Sequence, residues 1–163
     1  MNNDVDNADI LRVLNVLNKH RLMLQLNLKK VRDTLEDRAV VHDLSKYSEE
    51  ELLGFAKINS VARKYPYGSK EYKESMKHST CVATHYSKNS HHPEYADHLD
   101  SEGNPTKMGW LDIIEMVCDW KAANQTYGTT PWEDSVAINR NRFQKKFTKE
   151  QWWLIEQVID FVS

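Results

Sequence analysis

Apolar residues recur every three or four positions along most of this 163-residue chain, and this spacing constrains the fold more than any other feature. Such spacing places them on one face of an α-helix. The longest run predicts an amphipathic first helix over about 9–35, with an apolar stripe of Ile10, Val13, Leu14, Leu17, Leu24, Leu28, Val31 and Leu35. His20 lies three residues after Leu17 and four before Leu24, so we expect it on the same stripe, facing the core.

Further helical segments follow the first. Apolar periodicity, interrupted by Gly and Pro, predicts helices over about 35–46, 49–61, 70–87, 108–125, 132–146 and 149–162. Capping boxes are predicted where Ser48 precedes Glu51 by three residues and where Thr148 precedes Gln151. Residues 89–107 contain two prolines and one glycine but little apolar periodicity, which predicts a long loop of the kind that is often functional.

These elements together predict an all-α fold. We expect one domain over residues 1–163, a bundle of six to seven helices with a flexible end at residues 1–8. The two cysteines, Cys81 and Cys118, form no CxxC pair, so buried free thiols are expected. Helical spacing also predicts that most of these tryptophans belong to the core rather than to a base-stacking surface: Trp120, Trp132, Trp152 and Trp153.

The charge and the hydropathy of the chain argue against polynucleotide binding and against a membrane-spanning helix. The chain has 22 basic and 24 acidic residues and a formal net charge of −2, which gives no electrostatic reason to bind a polynucleotide by its backbone. No apolar run reaches the roughly 20 residues that a membrane-spanning helix needs. The acidic, polar start of the chain is unlike a signal peptide, so we expect a cytoplasmic protein with a small-molecule substrate. The oligomeric state is left open.

Residues of the types that bind metal ions are spread along these helices. Five of the seven histidines and two aspartates form an ordered series: His20, His42, Asp43, His85, His91, His92 and Asp119. Imidazole and carboxylate ligands together suit one or two ions of zinc, iron, manganese, cobalt or nickel. His78, seven residues before His85, is a reserve candidate, and Asp112 is the alternative to Asp119.

The order and context of these residues resemble the HD-domain superfamily of metal-dependent phosphohydrolases. His42-Asp43-Leu44-Ser45-Lys46 is similar to the HDxGK motif of its HD-GYP branch, and His91-His92-Pro93-Glu94 is similar to the HHE of multinuclear members. The strings HDLSK, THYSKNSHHPEY and EMVCDW look closest to a small HD-like family of phage and bacterial genomes. Tyr95-Ala96-Asp97-His98 replaces the Gly-Tyr-Pro loop, so hydrolysis of cyclic di-GMP is not expected.

The resemblance implies roles for individual residues. His20, His42, Asp43 and Asp119 would hold one ion, and His85 with His91 or His92 would add a second; which of the adjacent histidines binds is left open. Lys46 would hold a phosphate oxygen or stabilise a leaving group, although a lysine at a helix end is also common without any such role. Glu94 would act as a general base or orient an imidazole. Lys88 and Asn89 are candidates for substrate contact.

The sequence therefore predicts an HD-type enzyme that hydrolyses a small phosphorylated substrate, a nucleotide or a related ester, with water activated by the metal and Asp43 essential. Two alternatives stay open. One is a di-iron oxygenase, because the HD scaffold with extra histidines also hosts such enzymes. The other is an inactive module that binds a nucleotide without turnover.

Overall fold

The computed structural model describes residues 6–62, 64–66, 69–77, 80–128 and 130–163. Within these residues the secondary structure is helical and no strand occurs, which confirms the all-α prediction. The seven described helices are α1 (Asn7–Val41), α2 (Glu49–Ala62), α3 (Lys70–Lys77), α4 (Thr80–Lys88), α5 (Trp110–Tyr127), α6 (Trp132–Phe143) and α7 (Lys149–Val162). Two short 3₁₀ turns span Leu44–Tyr47 and Ala96–His98.

The chain divides into two compact units, residues 1–40 and residues 41–163. The first unit consists of α1 almost entirely, and none of the residues of that helix is buried. The apolar side chains of its predicted stripe from Ile10 to Val31 are exposed, contrary to the expectation that this stripe faces a core. The prediction of one domain over the whole chain stays a prediction.

Helix α1 is longer than the sequence pattern predicts. The expected boundary near Leu35 is wrong, because α1 continues without interruption to Val41. Residues 28–41 contain no glycine or proline and are rich in good helix formers, so nothing stops the helix there. The predicted second helix over 35–46 is replaced by the end of α1, a turn at His42 and Asp43, and the first 3₁₀ turn.

The hydrophobic core of the second unit lies among α5, α6 and α7. Ile113 and Val117 of α5 and Ile155 of α7 are at most 1% exposed. The Trp120 ring stacks on the Phe143 ring of α6 with centroids 5.8 Å apart. Trp152 is buried and Trp132 packs against the cluster, which confirms the core assignment for most of the tryptophans, whereas Trp153 is exposed.

Helices α2, α3 and α4 form the other side of this unit. The predicted helix over 70–87 is wrong in its extent, because α3 ends at Lys77 and α4 begins at Thr80; His78 lies outside the described residues. Helix α2 approaches α4 closely, since a Cβ atom added at Gly54 would lie 2.4 Å from the Cβ of Cys81. Both cysteines are free, as expected; Cys81 is buried, but the prediction of a buried thiol is wrong for Cys118, which is exposed.

The predicted long loop connects α4 to α5, and its only helical piece is the second 3₁₀ turn. The amide of Gln151 donates to the backbone oxygens of Pro105, Thr106 and Met108 at 2.9–3.2 Å and so attaches the loop to α7. Gln151 also completes the predicted capping box with Thr148. Among the described helices, none has both the length and the apolar character to cross a membrane.

Candidate metal centre

Six of the seven predicted ligands lie together in the second unit. Four segments deliver them: the turn after α1, α4, the start of the long loop, and α5. They form two overlapping sets whose ligand atoms lie within 4.8 Å of one another. The first ligand group is Asp43, His85, His91 and His92, and the second ligand group is His42, His91 and Asp119. Distant parts of the sequence thus converge as the ordered series predicts.

The first ligand group surrounds one carboxylate oxygen. The Nε2 atoms of His85 and His91 lie 3.1 Å and 3.4 Å from Asp43 Oδ1. The Nε2 atom of His92 lies 2.9 Å from that of His85. His85 and His91 are almost fully buried. Three imidazoles and one carboxylate, with ligand atoms within 4.8 Å of one another, make a ligand set suited to a transition-metal ion.

The second ligand group adjoins the first through Asp43. The Nε2 atom of His42 lies 3.4 Å from Asp119 Oδ1 and 3.5 Å from Asp43 Oδ2. Asp43 therefore has one carboxylate oxygen near each group: Oδ1 lies by His85 and His91, and Oδ2 lies by His42. His91 belongs to both sets, but its Nε2 atom has one lone pair and can bind one ion only.

Two atoms at the centre of the first ligand group lack hydrogen bonds. Asp43 Oδ1 and His91 Nε2 are buried, and no residue in the described part of the chain is their hydrogen-bond partner. Burying a polar atom without a partner is unfavourable, and such atoms in a folded protein need an explanation. A cation between them would satisfy both, so the residues present fit a metal ion.

Two carboxylates outside the ligand groups contact the Nδ1 atoms of the imidazoles, on the ring side opposite Nε2. Glu51 is 0% exposed, and its Oε2 atom lies 2.9 Å from His85 Nδ1. Glu115 Oε1 lies 2.8 Å from His42 Nδ1 and 3.3 Å from His91 Nδ1. Because an ionised carboxylate can only accept, the Nδ1 atoms carry the protons. In the neutral rings each Nε2 atom then presents a lone pair to the centre.

Ser45 and Lys88 complete the surroundings of Glu51. Ser45 Oγ donates to Glu51 at 2.8 Å, and Lys88 Nζ lies 3.1 Å from its other oxygen. Burial alone would raise the pKa of Glu51, but the hydrogen bonds from Ser45, His85 and Lys88 outweigh it and hold the pKa below its usual value. Glu51 is therefore an ionised group inside the protein.

The electrostatic environment differs between two of the histidines. Hydrogen bonding to Asp119, and next to Glu115, raises the pKa of His42 to about 10. Burial, together with the charges of His91 and His85, lowers the pKa of His92 to about 2. His92 is thus a neutral imidazole able to bind an ion. At neutral pH without metal, His42 holds an extra proton among carboxylates, in a place where a metal ion can replace it.

The backbone at Asp43 is unusual and helps to place its side chain. Asp43 has φ 57°, in the left-handed region, and among the described residues other than glycine it alone has positive φ. This conformation is unfavourable for most residues and is tolerated best by Asn and Asp. It ends α1, and the Lys46 backbone N–H then donates to the Asp43 carbonyl at 2.9 Å. The turn directs the Asp43 carboxylate between the two ligand groups.

The predicted catalytic and substrate-binding residues are distributed around this centre. Lys46 Nζ forms an ion pair with Asp43 Oδ2 and is partly exposed. Asn89 Nδ2 donates to Ser45 Oγ at 2.8 Å, on the Nδ1 side of His85, where Lys88 also lies. Glu94 Oε1 pairs with Arg142 at 2.6 Å. Their roles in catalysis and substrate binding stay predictions.

Two other predicted residues lie outside the ligand groups. Asp112 accepts a hydrogen bond from Ser90 Oγ at 2.6 Å, so Asp119 and not Asp112 supplies the aspartate from α5. His20 belongs to the first unit and is exposed, contrary to the expectation that it faces a core. Twenty residues of continuous helix separate His20 from Val40, about 30 Å along the axis. Its role as a ligand stays a prediction.

Sequence reasoning did not identify the orienting roles of Glu51 and Glu115. Glu51 was assigned to a capping box with Ser48; its backbone N–H does lie 3.4 Å from Ser48 Oγ, but its carboxylate turns inward to His85. Glu115 precedes Asp119 by four residues, so the two share one face of α5. That spacing is the signal that could have identified Glu115.

Comparisons with known proteins leave the function open. No curated protein and no solved structure matches this chain. Residues 9–161 match a family of unknown function, DUF5662. The match covers both units and every candidate ligand, and on this evidence the chain belongs to the DUF5662 family.

Proposed function

We propose that this protein is a metal-dependent phosphohydrolase that acts on a small phosphorylated substrate. The observation that carries the proposal is the pair of buried atoms without hydrogen bonds, Asp43 Oδ1 and His91 Nε2, among further imidazole nitrogens. A cluster of this kind is unfavourable by itself and becomes favourable around a cation. The resemblance of the HDLSK and HHPE segments to HD-domain enzymes supports hydrolysis as the reaction.

The ligand sets suit one or two divalent ions of manganese, iron, cobalt, nickel or zinc. Asp43, His85 and His92 would hold one ion, His42 and Asp119 the other, and His91 either of them. Such ions lower the pKa of a water molecule and neutralise negative charge on a phosphoryl group. Glu51 and Glu115 hold a proton on Nδ1 of the imidazoles that they contact, so that Nε2 is the atom left to bind metal.

Lys46 is the residue best placed to act on the substrate. Its ammonium contacts Asp43 Oδ2 and its side chain is 41% exposed, so Lys46 lies at the edge of the centre. A lysine there stabilises negative charge on a phosphoryl oxygen or on the leaving group, and it does so without binding the metal. This division of roles predicts that metal content and turnover respond differently to substitution of Lys46.

The substrate class follows from the charge of the chain. A formal net charge of −2 gives no reason to expect a polynucleotide, so a nucleotide or another small phosphate ester is proposed. The proposal includes a cytoplasmic location. It also includes the enzyme class, an HD-type hydrolase.

The proposal is tested by elemental analysis and a phosphatase screen on the same protein preparations. Purified protein, reconstituted in turn with manganese, iron, cobalt, nickel and zinc, should retain at least one ion and release phosphate from some member of a nucleotide and phosphate-ester panel. Asp43→Asn should lose both properties while keeping its helical circular dichroism. Asp97→Asn is the control, because Asp97 lies exposed on the second 3₁₀ turn, outside both ligand groups.

Three outcomes would contradict this function. Wild-type protein that retains none of the five metals has no metal centre. Oxygen consumption by the iron-loaded protein, without phosphate release, would favour the oxygenase. Retained metal and tight binding of one nucleotide without turnover would favour the binding module.

A further inference from the structure

We propose that Glu115 is a positioning residue that couples the two ligand groups, so that two ions bind cooperatively. The proposal rests on the metal centre of the proposed function and adds that ion binding in one ligand group affects ion binding in the other. Its basis is a contact pattern that Glu115 has and Glu51 lacks: one carboxylate contacts His42, a member of the second ligand group alone, and His91, a member of both groups.

Both histidine contacts of Glu115 go to the same oxygen. Oε1 lies 2.8 Å from Nδ1 of His42 and 3.3 Å from Nδ1 of His91. The two imidazole rings are neighbours, with centroids 4.3 Å apart and planes tilted by 36°. Turning the carboxylate to improve one contact therefore changes the other. With His91 bound in the first ligand group and His42 in the second, Glu115 links the two ion positions.

Glu51 is a second carboxylate at the same centre, and it contacts a histidine of one ligand group only. Its only histidine contact among the described residues is His85 Nδ1 at 2.9 Å, and His85 belongs to the first ligand group alone. Its remaining contacts, Ser45 and Lys88, are not ligands. The two glutamates have similar chemistry but differ in the number of ligand groups they touch, so each is the control for the other.

The coupling arises because both ion positions depend on the order of one side chain, the Glu115 carboxylate. With a cation on Nε2, the His91 Nδ1–H would be a stronger donor and would fix the Glu115 carboxylate. Glu115 then holds the His42 ring in place before the second ion arrives. Binding of the second ion then costs less side-chain conformational entropy, which gives positive cooperativity.

Placement on α5 adds a rigid connection. Glu115 stands one helical turn before Asp119, a direct member of the second ligand group, so one helix carries both a ligand and the residue that links the groups. Helix α5 is anchored by Ile113, Met116 and Val117, each at most 1% exposed. A movement of Glu115 is thus resisted by the core of the unit.

The test is titration of the metal-free full chain with Co²⁺, followed by its visible absorption and by calorimetry. Wild-type protein should bind two ions with a sigmoidal isotherm. Glu115→Gln should weaken both ions by about 10- to 100-fold and abolish the sigmoidal shape. Glu51→Gln should weaken one ion by a similar factor and leave the other unchanged. Circular dichroism checks that the variants fold.

A second measurement keeps the test valid if a variant is unstable. In metal-free wild-type protein labelled with ¹⁵N, Nδ1 of His85 and Nδ1 of His91 should each carry a proton, and Glu115→Gln should perturb His42 and His91 but leave His85 unchanged. Two ions bound by wild type, with Glu115→Gln affecting one or neither, would overturn the coupling alone. A single ion in wild type would also overturn it. No ion at all would overturn the coupling and the proposed function together.

Discussion

Substitution of Gly54 by alanine tests how the fold positions the metal centre. A Cβ atom at Gly54 would lie 2.4 Å from Cys81 Cβ and 2.7 Å from Cys81 Sγ. Carbon atoms in contact normally lie about 3.5–4.0 Å apart, so α2 and α4 must separate by roughly 1 Å. Overpacking of this kind costs about 1–3 kcal/mol, and the better helix propensity of alanine returns about 1 kcal/mol of that.

The separation should also reach the metal ligands. Cys81 and His85 are one turn apart on α4, and Glu51 lies on α2 three residues before Gly54, so moving the helices apart lengthens the contact between Glu51 and His85. We expect Gly54→Ala to weaken ion binding and to lower the melting temperature, by up to about 8 °C for a net loss of up to about 2 kcal/mol.

The assay is thermal unfolding and Co²⁺ titration of Gly54→Ala, Cys81→Gly and the double variant. Cys81→Gly removes the atoms that the new methyl group would strike, so the double variant should bind ions more tightly than Gly54→Ala alone. A Gly54→Ala protein with wild-type stability and wild-type ion affinity would refute the reasoning, because α2 and α4 could not then be in such close contact.

Three further predictions concern charge, catalysis and packing. Asp119 and Glu115 raise the pKa of His42 to about 10, above its unfolded value near 6.5. The protonated ring should therefore stabilise the metal-free fold fully below pH 6.5, and this stabilisation should be lost as the pH rises toward 10. Denaturation across this pH range should show the loss in wild type and not in His42→Gln. Lys46→Met should keep the ions but lower turnover by about 100-fold, whereas equal loss of metal would contradict its assigned role. Phe143→Ala, at a core position, should cost about 3–5 kcal/mol in urea unfolding, while a similar cost for Phe161→Ala, at a 92% exposed position, would contradict this assignment of the core.

Much of the helical organisation could be predicted because it depends on local chemistry. The apolar periodicity of α5 and α7 and the capping box at Thr148 involve only residues that are close in the sequence, and the structure agrees with these predictions. The end of α1 could not be placed by periodicity, since residues 28–41 remain favourable for a helix until the left-handed turn at Asp43. At that turn the Asp43 carboxylate contacts His85 and His91, which lie far along the chain and which local periodicity does not reveal.

The candidate ligands could be predicted because few residue types bind transition metals. His85, His91 and Asp119 were singled out by residue type and order, and the structure brings them together. The orienting carboxylates could not be predicted in the same way, because glutamate is common and the pairing of Glu51 with His85 spans 34 positions. Only the packing of α2 against α4 makes that contact.

X-ray absorption spectroscopy of the metal-loaded protein is the most direct test of the central claim, that imidazoles and carboxylates from distant segments converge on one centre. The absorption edge of bound zinc or cobalt should show nitrogen and oxygen ligands at about 2.0–2.2 Å together with the multiple scattering of two or more imidazole rings. Asp43→Asn should abolish that spectrum. A spectrum of oxygen ligands alone, without imidazole scattering, would contradict the account.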